Sequence, residues 1–325
     1  MVRIGMVGSG FMAETHLAAY RGIDGADVVA VAAPNTAEEF VAEAGLSAET
    51  YGSAEELMDE ADVDALDVCS PSPTHRPVVT AAAERGIDAF CEKPIAGNLE
   101  DAQVIADVAE NAGITLMVGH VLRFFPQYER ARDVVEDGGI GDPGVARARR
   151  LSPFPSWGHG NWYADRDSSG GVLVDLAIHD LDYIRWVFGE VDRVFARRSV
   201  WEEGEHGHVT LRFENGAAAY VDASWGLPPG QELTQSFELA GSDGLVEFGG
   251  DDAALTFRTA EETQVTNPVA KDGYRRQLEA FVESVETRSE PSVTAEDAIA
   301  ALRLSLAANR SAETGRPVAP EEVSA

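Results

Sequence analysis

Lysine is nearly missing from this chain. Lys93 and Lys271 are its only lysines among 325 residues, and the other 23 basic residues are arginine. Basic charge of any kind is scarce beside 56 acids, which leaves a net charge of −31. No basic face is visible, so nucleic acid, whose phosphates demand one, is not expected as a partner. The acids are spread along the whole length instead of gathering in a solvated tail. A dispersed acidic surface almost without lysine is expected of adaptation to high salt, where screening removes most of the self-repulsion. Cysteine is sparse as well. Cys69 and Cys91 each end an apolar run that reads as a buried strand. No CxxC or Cys/His spacing points to zinc, so no metal site is expected, and two reduced thiols in a cytoplasm are the expected state. Long apolar runs are absent too. None approaches the roughly 18 residues needed to cross a bilayer, and the first residues carry no charged-then-apolar leader pattern.

What is present is 44% hydrophobic residues, enough for one large domain or two ordinary ones. An apolar run over 2–7 leads into Gly8-Ser9-Gly10-Phe11-Met12-Ala13, and a helical pattern follows to about Arg21. This is the G-x-G-x-x-G/A pattern in strand–turn–helix order. The first glycine permits the tight turn, the second lets backbone approach a pyrophosphate, and small Ala13 lets the helix pack on the strand. A second strand over 27–32 ends in Ala33-Pro34-Asn35-Thr36, where NAD-binding folds commonly place an acid for the ribose hydroxyl. Its absence removes repulsion against a 2′-phosphate and tilts the expectation from NAD towards NADP, held by Asn35 and Thr36 because no arginine stands there.

Alternation of buried strands and helices continues to about residue 120 and predicts a parallel, doubly wound sheet. Ligands of such sheets bind at the carboxyl ends of the strands. The loops 8–13, 70–75 (Ser70-Pro71-Ser72-Pro73-Thr74-His75) and 92–94 (Glu92-Lys93-Pro94) all fall at that edge. After residue 120 the character changes. A long glycine- and proline-bearing loop over 152–171 precedes a helix expected over 172–188, and such a loop usually binds something. Alternating segments from 191 to 258 predict a mostly antiparallel sheet, and helices near 272–287 and 294–313 close the chain. The expected division is a Rossmann domain over 1–120 and an α+β domain over 121–325, with 315–325 a frayed tail.

Oxidising a secondary alcohol needs a hydride acceptor and a base for the hydroxyl proton. His179 suits the base, since imidazole titrates near neutrality. Asp175 lies one turn before it and Asp182 three residues after, so all three share a helix face. A helix with one wet stripe would show the same spacing; Gly170-Gly171 just ahead, a site of close approach, favours function. Lys93 can donate to the substrate oxygen. It is one of two lysines in a chain that otherwise uses arginine, and the two are not equivalent. An exposed Glu92–Lys93 ion pair is the structural alternative.

These stretches, together with Gly170-Gly171-Val172-Leu173-Val174-Asp175-Leu176-Ala177-Ile178-His179-Asp180-Leu181-Asp182, resemble the glucose–fructose oxidoreductase / inositol dehydrogenase / rhizopine-catabolism (Gfo/Idh/MocA) family over nearly the whole chain. The resemblance implies a Rossmann domain followed by an open, largely antiparallel sheet whose outer face makes homodimers or homotetramers. It implies Lys93, Asp175 and His179 as the catalytic set, with Asp182, His159 and Asn161 touching substrate. It implies an NAD(P) site formed by Gly8, Ser9, Gly10, Phe11, Met12, Ala33, Asn35, Thr36, Ser70, Pro71, Ser72, His75, Glu92 and Lys93, with Trp162 near the nicotinamide. Ala33, where many relatives carry an acid, and Val172, where a third glycine is common, depart from the pattern. The expected activity is oxidation of a sugar, cyclic polyol or sugar derivative. A glycoside hydrolase with transient redox chemistry and a non-catalytic dinucleotide and sugar sensor are the competing readings.

Overall fold

The computed structural model describes residues 1–156, 159–202, 204–249, 254–268 and 272–324, and of residues 159–161 and 167 the backbone alone. The chain forms two compact units. The first takes Met1–Val121 and Asp272–Ile299, and the second Leu122–Lys271 and Ala300–Ser324. The stretch that the sequence pattern assigns whole to a second domain is therefore shared between the units.

The first unit holds β1 (Val2–Val7), β2 (Ala26–Ala32), β3 (Glu49–Tyr51), β4 (Ala65–Val68), β5 (Asp88–Cys91) and β6 (Leu116–Val118). All pairings are parallel, in the order β3-β2-β1-β4-β5-β6. The connections are α1 (Phe11–Tyr20), α2 (Ala37–Ala44), α3 (Ala54–Glu60), α4 (His75–Glu84) and α5 (Leu99–Ala112). Every residue of β4 and β5 is buried, as a parallel sheet covered on both faces requires. Two of those residues are acids, and each is met. Asp88 accepts from Thr115 N–H at 2.7 Å and from Arg288 at 2.7 and 2.9 Å. Asp67 is met by His16. The strand order reverses between β1 and β4, and a reversal of this kind opens the crevice in which dinucleotides bind.

The second unit contains α6 (Pro126–Glu136), β7 (Pro143–Pro153), α7 (Arg166–Ser169), α8 (Val172–Asp175), α9 (Ile178–Phe188), and β8 (Val191–Trp201) through β14. The later strands are β9 (Gly204–Phe213), β10 (Ala218–Leu227), β11 (Thr234–Gly241), β12 (Gly244–Phe248), β13 (Leu255–Thr259) and β14 (Thr263–Thr266). The order is β14-β13-β12-β11-β7-β10-β9-β8, antiparallel except where β10 runs parallel to β7. Its core centres on Tyr128, Tyr183 and Phe237, with ring centroids 4.8 to 5.6 Å apart. Trp225 fills the region between Phe154 and Tyr163, at 5.7 and 5.9 Å. Helix α10 (Gly273–Thr287) belongs to the first unit, and α11 (Ala295–Thr314) begins in the first and continues in the second.

Two local expectations are corrected. The helix expected over 172–188 is interrupted at Leu176-Ala177, where Ala177 N–H reaches back five residues to the Val172 carbonyl. A widened turn of this sort is commonly found at functional sites. The last residues do not fray. Val318 exchanges backbone hydrogen bonds with Val194 at 2.8 Å in both directions, and Val318 and Ala319 are buried. Arg193 and Arg310 hold Glu322, so prolines and glutamates that read as a solvated tail are stitched to β8 and α11.

Trp225→Ala removes the largest fully buried side chain among the described residues of the second unit. It should lower unfolding stability by about 3–5 kcal/mol, measured by denaturant melts.

Candidate active site

The nucleotide edge of the first unit is built from the loops that leave β1, β4 and β5. Gly8 has φ +119°, and a Cβ there would stand 3.0 Å from the backbone of Cys69, so only glycine allows this loop to lie against the next one. A Cβ on Gly10 would meet nothing within 4 Å. The start of α1 carries no side-chain cap, so its first-turn amides are available to an anion. These residues therefore suit a dinucleotide pyrophosphate. Ser9 and Thr36 hydroxyls lie 2.7 Å apart, joining this loop to the end of β2. Asn35 adopts φ +64° and is exposed, Thr36 is half-buried, and Ala33 is buried. Phe11 is exposed.

The loop after β4 is tied to the loop after β5 by His75. Its Nε2 lies 2.8 Å from the Ser70 carbonyl and its Nδ1 3.1 Å from that of Pro94. The ring is buried, and burial pulls its pKa below the usual value; a neutral ring donates to one of these carbonyls and packs against the other. Ser70 and Thr74 hydroxyls meet at 2.6 Å, and Ser72 is buried beneath them. Glu92 is buried, not the exposed partner of a surface ion pair. Its Oε2 accepts from the Lys93 N–H at 3.0 Å, and its Oε1 lies 3.3 Å from His16 Nε2. A Cβ on Gly119 would come within 2.7 Å of that Oε1, so the carboxylate occupies space a glycine leaves. Lys93 follows, half-buried, and the Lys93–Pro94 bond is cis.

In the second unit, Gly170 and Gly171 have φ of +72° and +71°, and a Cβ on Gly171 would lie 2.7 Å from Glu205 Oε2. That oxygen accepts from Val172 N–H at 3.1 Å, fixing the start of α8. Asp175 ends α8 and His179 stands in the first turn of α9, on either side of the widened turn. Asp175 is buried and His179 half-buried. Asp182, expected at the substrate, is buried and accepts from Arg123 through both oxygens, at 2.9 and 2.6 Å. Asp180 does the same with Arg150, at 2.8 and 3.0 Å. Burial works against the Arg150 charge, and Asp180 and Tyr128 together more than offset it. Trp162 packs on the core of this unit beside Tyr163, ring centroids 4.3 Å apart. The side chains of His159 and Asn161 lie outside the described residues.

Sequence reasoning overlooked His16, Asp67, Arg123, Arg150 and Glu205. One signal was available: Arg123 sits inside Val121-Leu122-Arg123-Phe124-Phe125, an apolar run in which a charge must find a partner. Arg123→Ala strands the Asp182 carboxylate in the core. It should cost about 3–5 kcal/mol of stability, measured by denaturant melts, against a smaller loss for an exposed pair such as Arg258–Glu247.

Residues 2–120 match the family model described as an oxidoreductase family with NAD-binding Rossmann fold, and residues 128–247 match the GFO/IDH/MocA C-terminal domain. Myo-inositol 2-dehydrogenase of Thermotoga maritima is 31% identical over 343 residues, covering 99% of each chain. D-xylose 1-dehydrogenase (NADP(+)) 2 of Haloferax volcanii is 32% identical, covering 82% of this chain and 84% of its own. The crystal structure of a probable dehydrogenase from Thermotoga maritima is similar at a TM-score of 0.85 and 30% identity, covering 99% of this chain and all of that one. With both halves matched and the dinucleotide loops in place, the chain belongs to the GFO/IDH/MocA family of NAD(P)-binding oxidoreductases.

Proposed function

We propose that this protein is a dehydrogenase that oxidises a secondary alcohol of a sugar or cyclic polyol, with Lys93, Asp175 and His179 as its catalytic residues. One observation carries the reading. Lys93 follows β5 directly, at the same carboxyl edge of the parallel sheet as the Gly8–Ala13 turn, and its backbone is gripped by a buried carboxylate. A lysine held at the ligand edge of a dinucleotide fold suits work on a substrate oxygen.

A bound nicotinamide supplies the hydride acceptor. The Lys93 amine donates to the hydroxyl oxygen and favours its ionisation. His179 takes the hydroxyl proton, and Asp175 orients the imidazole or binds a neighbouring hydroxyl. Asp182 serves this set through Arg123, which locks the middle of α9. Relatives named for myo-inositol and D-xylose support a polyhydroxylated substrate. NADP is the preferred cofactor in this reading, because no acid follows β2, and exposed Asn35 and half-buried Thr36 can meet a 2′-phosphate. Assembly through the second sheet belongs to the same proposal, supported by the exposed apolar side chains of Val200, Trp201 and Tyr220.

Lys93→Met should lower turnover by about 10²-fold or more with the melting temperature unchanged. The assay follows net reduced nicotinamide with a panel of sugars, inositols and sugar acids at high salt. Near-normal turnover in the variant would remove the amine from the mechanism, and absence of net reduction in the wild type would favour the hydrolase or sensor. Asn35→Asp should weaken NADP binding by at least roughly tenfold while leaving NAD binding intact, measured by calorimetry.

A further inference from the structure

We propose that His16 is a positioning residue for the reaction: a buried imidazolium that offsets the charge of Glu92 and, through Glu92, holds the Lys93 backbone in place. The inference rests on the dehydrogenase reading above, in which Lys93 touches substrate.

His16 lies on α1, one turn beyond the glycine loop, and is fully buried. Two carboxylates face its ring from two strand ends. Asp67 on β4 lies 3.0 and 3.1 Å from Nδ1 through its two oxygens. Glu92, just past β5, lies 3.3 Å from Nε2. Nε2 makes no hydrogen bond among the described residues, so its link to Glu92 is one of charge. The other partners of the ring among the described residues are a thiol, a phenol and two aromatic rings. The Cys69 thiol, 3.3 Å from Nδ1, donates to Asp67 at 3.2 Å, and burial keeps it protonated. Tyr20, on the same helix, is likewise held neutral by burial. Phe90 and Tyr274 close the ring in, at 5.4 and 6.2 Å between centroids.

A neutral imidazole here has one N–H for two anions, and one carboxylate would face a lone pair. Two buried carboxylates without a cation would be strongly unfavourable. Protonation resolves both problems. Burial is the largest single influence and opposes the charge on His16, yet Asp67 and Cys69 together raise its pKa well above the usual value. The result is a line of groups, Asp67, His16, Glu92 and Lys93 N–H, that runs from the middle of the sheet to the first atom of the lysine. A lysine displaced by even about 1 Å loses turnover heavily. Nothing in the proton and hydride steps calls for His16, so a role through Glu92 is what its placement offers.

The test is a double-mutant cycle of His16→Gln and Glu92→Gln, assayed for kcat and KM with the best substrate of the panel at saturating cofactor. A second readout needs no catalysis. With only two lysines in the chain, amine acylation at fixed pH can be read by mass spectrometry as the ratio of Lys93 to Lys271. His16→Gln should lower kcat by about 10²-fold with KM little changed, and should raise the acylation ratio. In the Glu92→Gln background the same substitution should add less than about threefold, since no anion is left to offset. Additive effects, or wild-type kcat and acylation with only a lowered melting temperature, would overturn the proposal. Should His16→Gln not fold, isosteric Asp67→Asn removes the anion that keeps His16 charged and should give the same result. If wild-type protein reduces no cofactor with any substrate, the dehydrogenase reading fails, and the acylation ratio still decides the link from His16 to Lys93.

Discussion

Burying a carboxylate costs several kcal/mol unless a cation and hydrogen bonds meet it, and a chain with 56 acids and 25 fixed cations must spend those cations carefully. It commits some of them to its buried acids. Asp88 has Arg288, Asp180 has Arg150, and Asp182 has Arg123. Where no arginine is present, an imidazole stands between Asp67 and Glu92. The Arg123–Asp182 and Arg150–Asp180 pairs are forked, two nitrogens to two oxygens, which lysine could not reproduce. The near-exclusive use of arginine thus has an internal rationale beside any that concerns the surface.

The same pairs locate the chemistry. Arg123 and Arg150 come from outside α9, and both grip it through acids, Asp182 and Asp180, that follow His179 within one turn. Glu205 holds the start of α8 from β9, in space that Gly171 leaves free. In the first unit, Glu92 holds Lys93 by its backbone, and His75 ties the two neighbouring loops together. The groups proposed to touch substrate are therefore supported by others that do not. Precision of this kind is what proton transfer and hydride transfer demand of a site.

Much of the architecture was legible in the chain because it depends on local periodicity and on glycine. Continuous apolar runs separated by helices require a parallel sheet. A glycine at φ +119° against the Cys69 backbone is a local steric necessity that the G-x-G pattern announces. Less legible was the break in the helix at Leu176-Ala177, since neither residue disfavours helix. The ordered end of the chain was equally obscure, because its burial is provided by β8, far away in sequence.

What the sequence determined by itself was the presence of a dinucleotide fold, the succession of a parallel and a mostly antiparallel sheet, and the candidates Lys93, Asp175 and His179. Each of these follows from spacing within a few residues or one strand–helix period. Only the tertiary structure decided that Glu92 is an inward anion instead of a surface ion-pair partner, that Asp182 belongs to Arg123, and that His16 lies between two carboxylates. Those facts depend on contacts between residues 51 to 76 positions apart. Pairing a buried charge is a demand the sequence makes plain, whereas the identity of the partner is settled only when strands and helices are packed together.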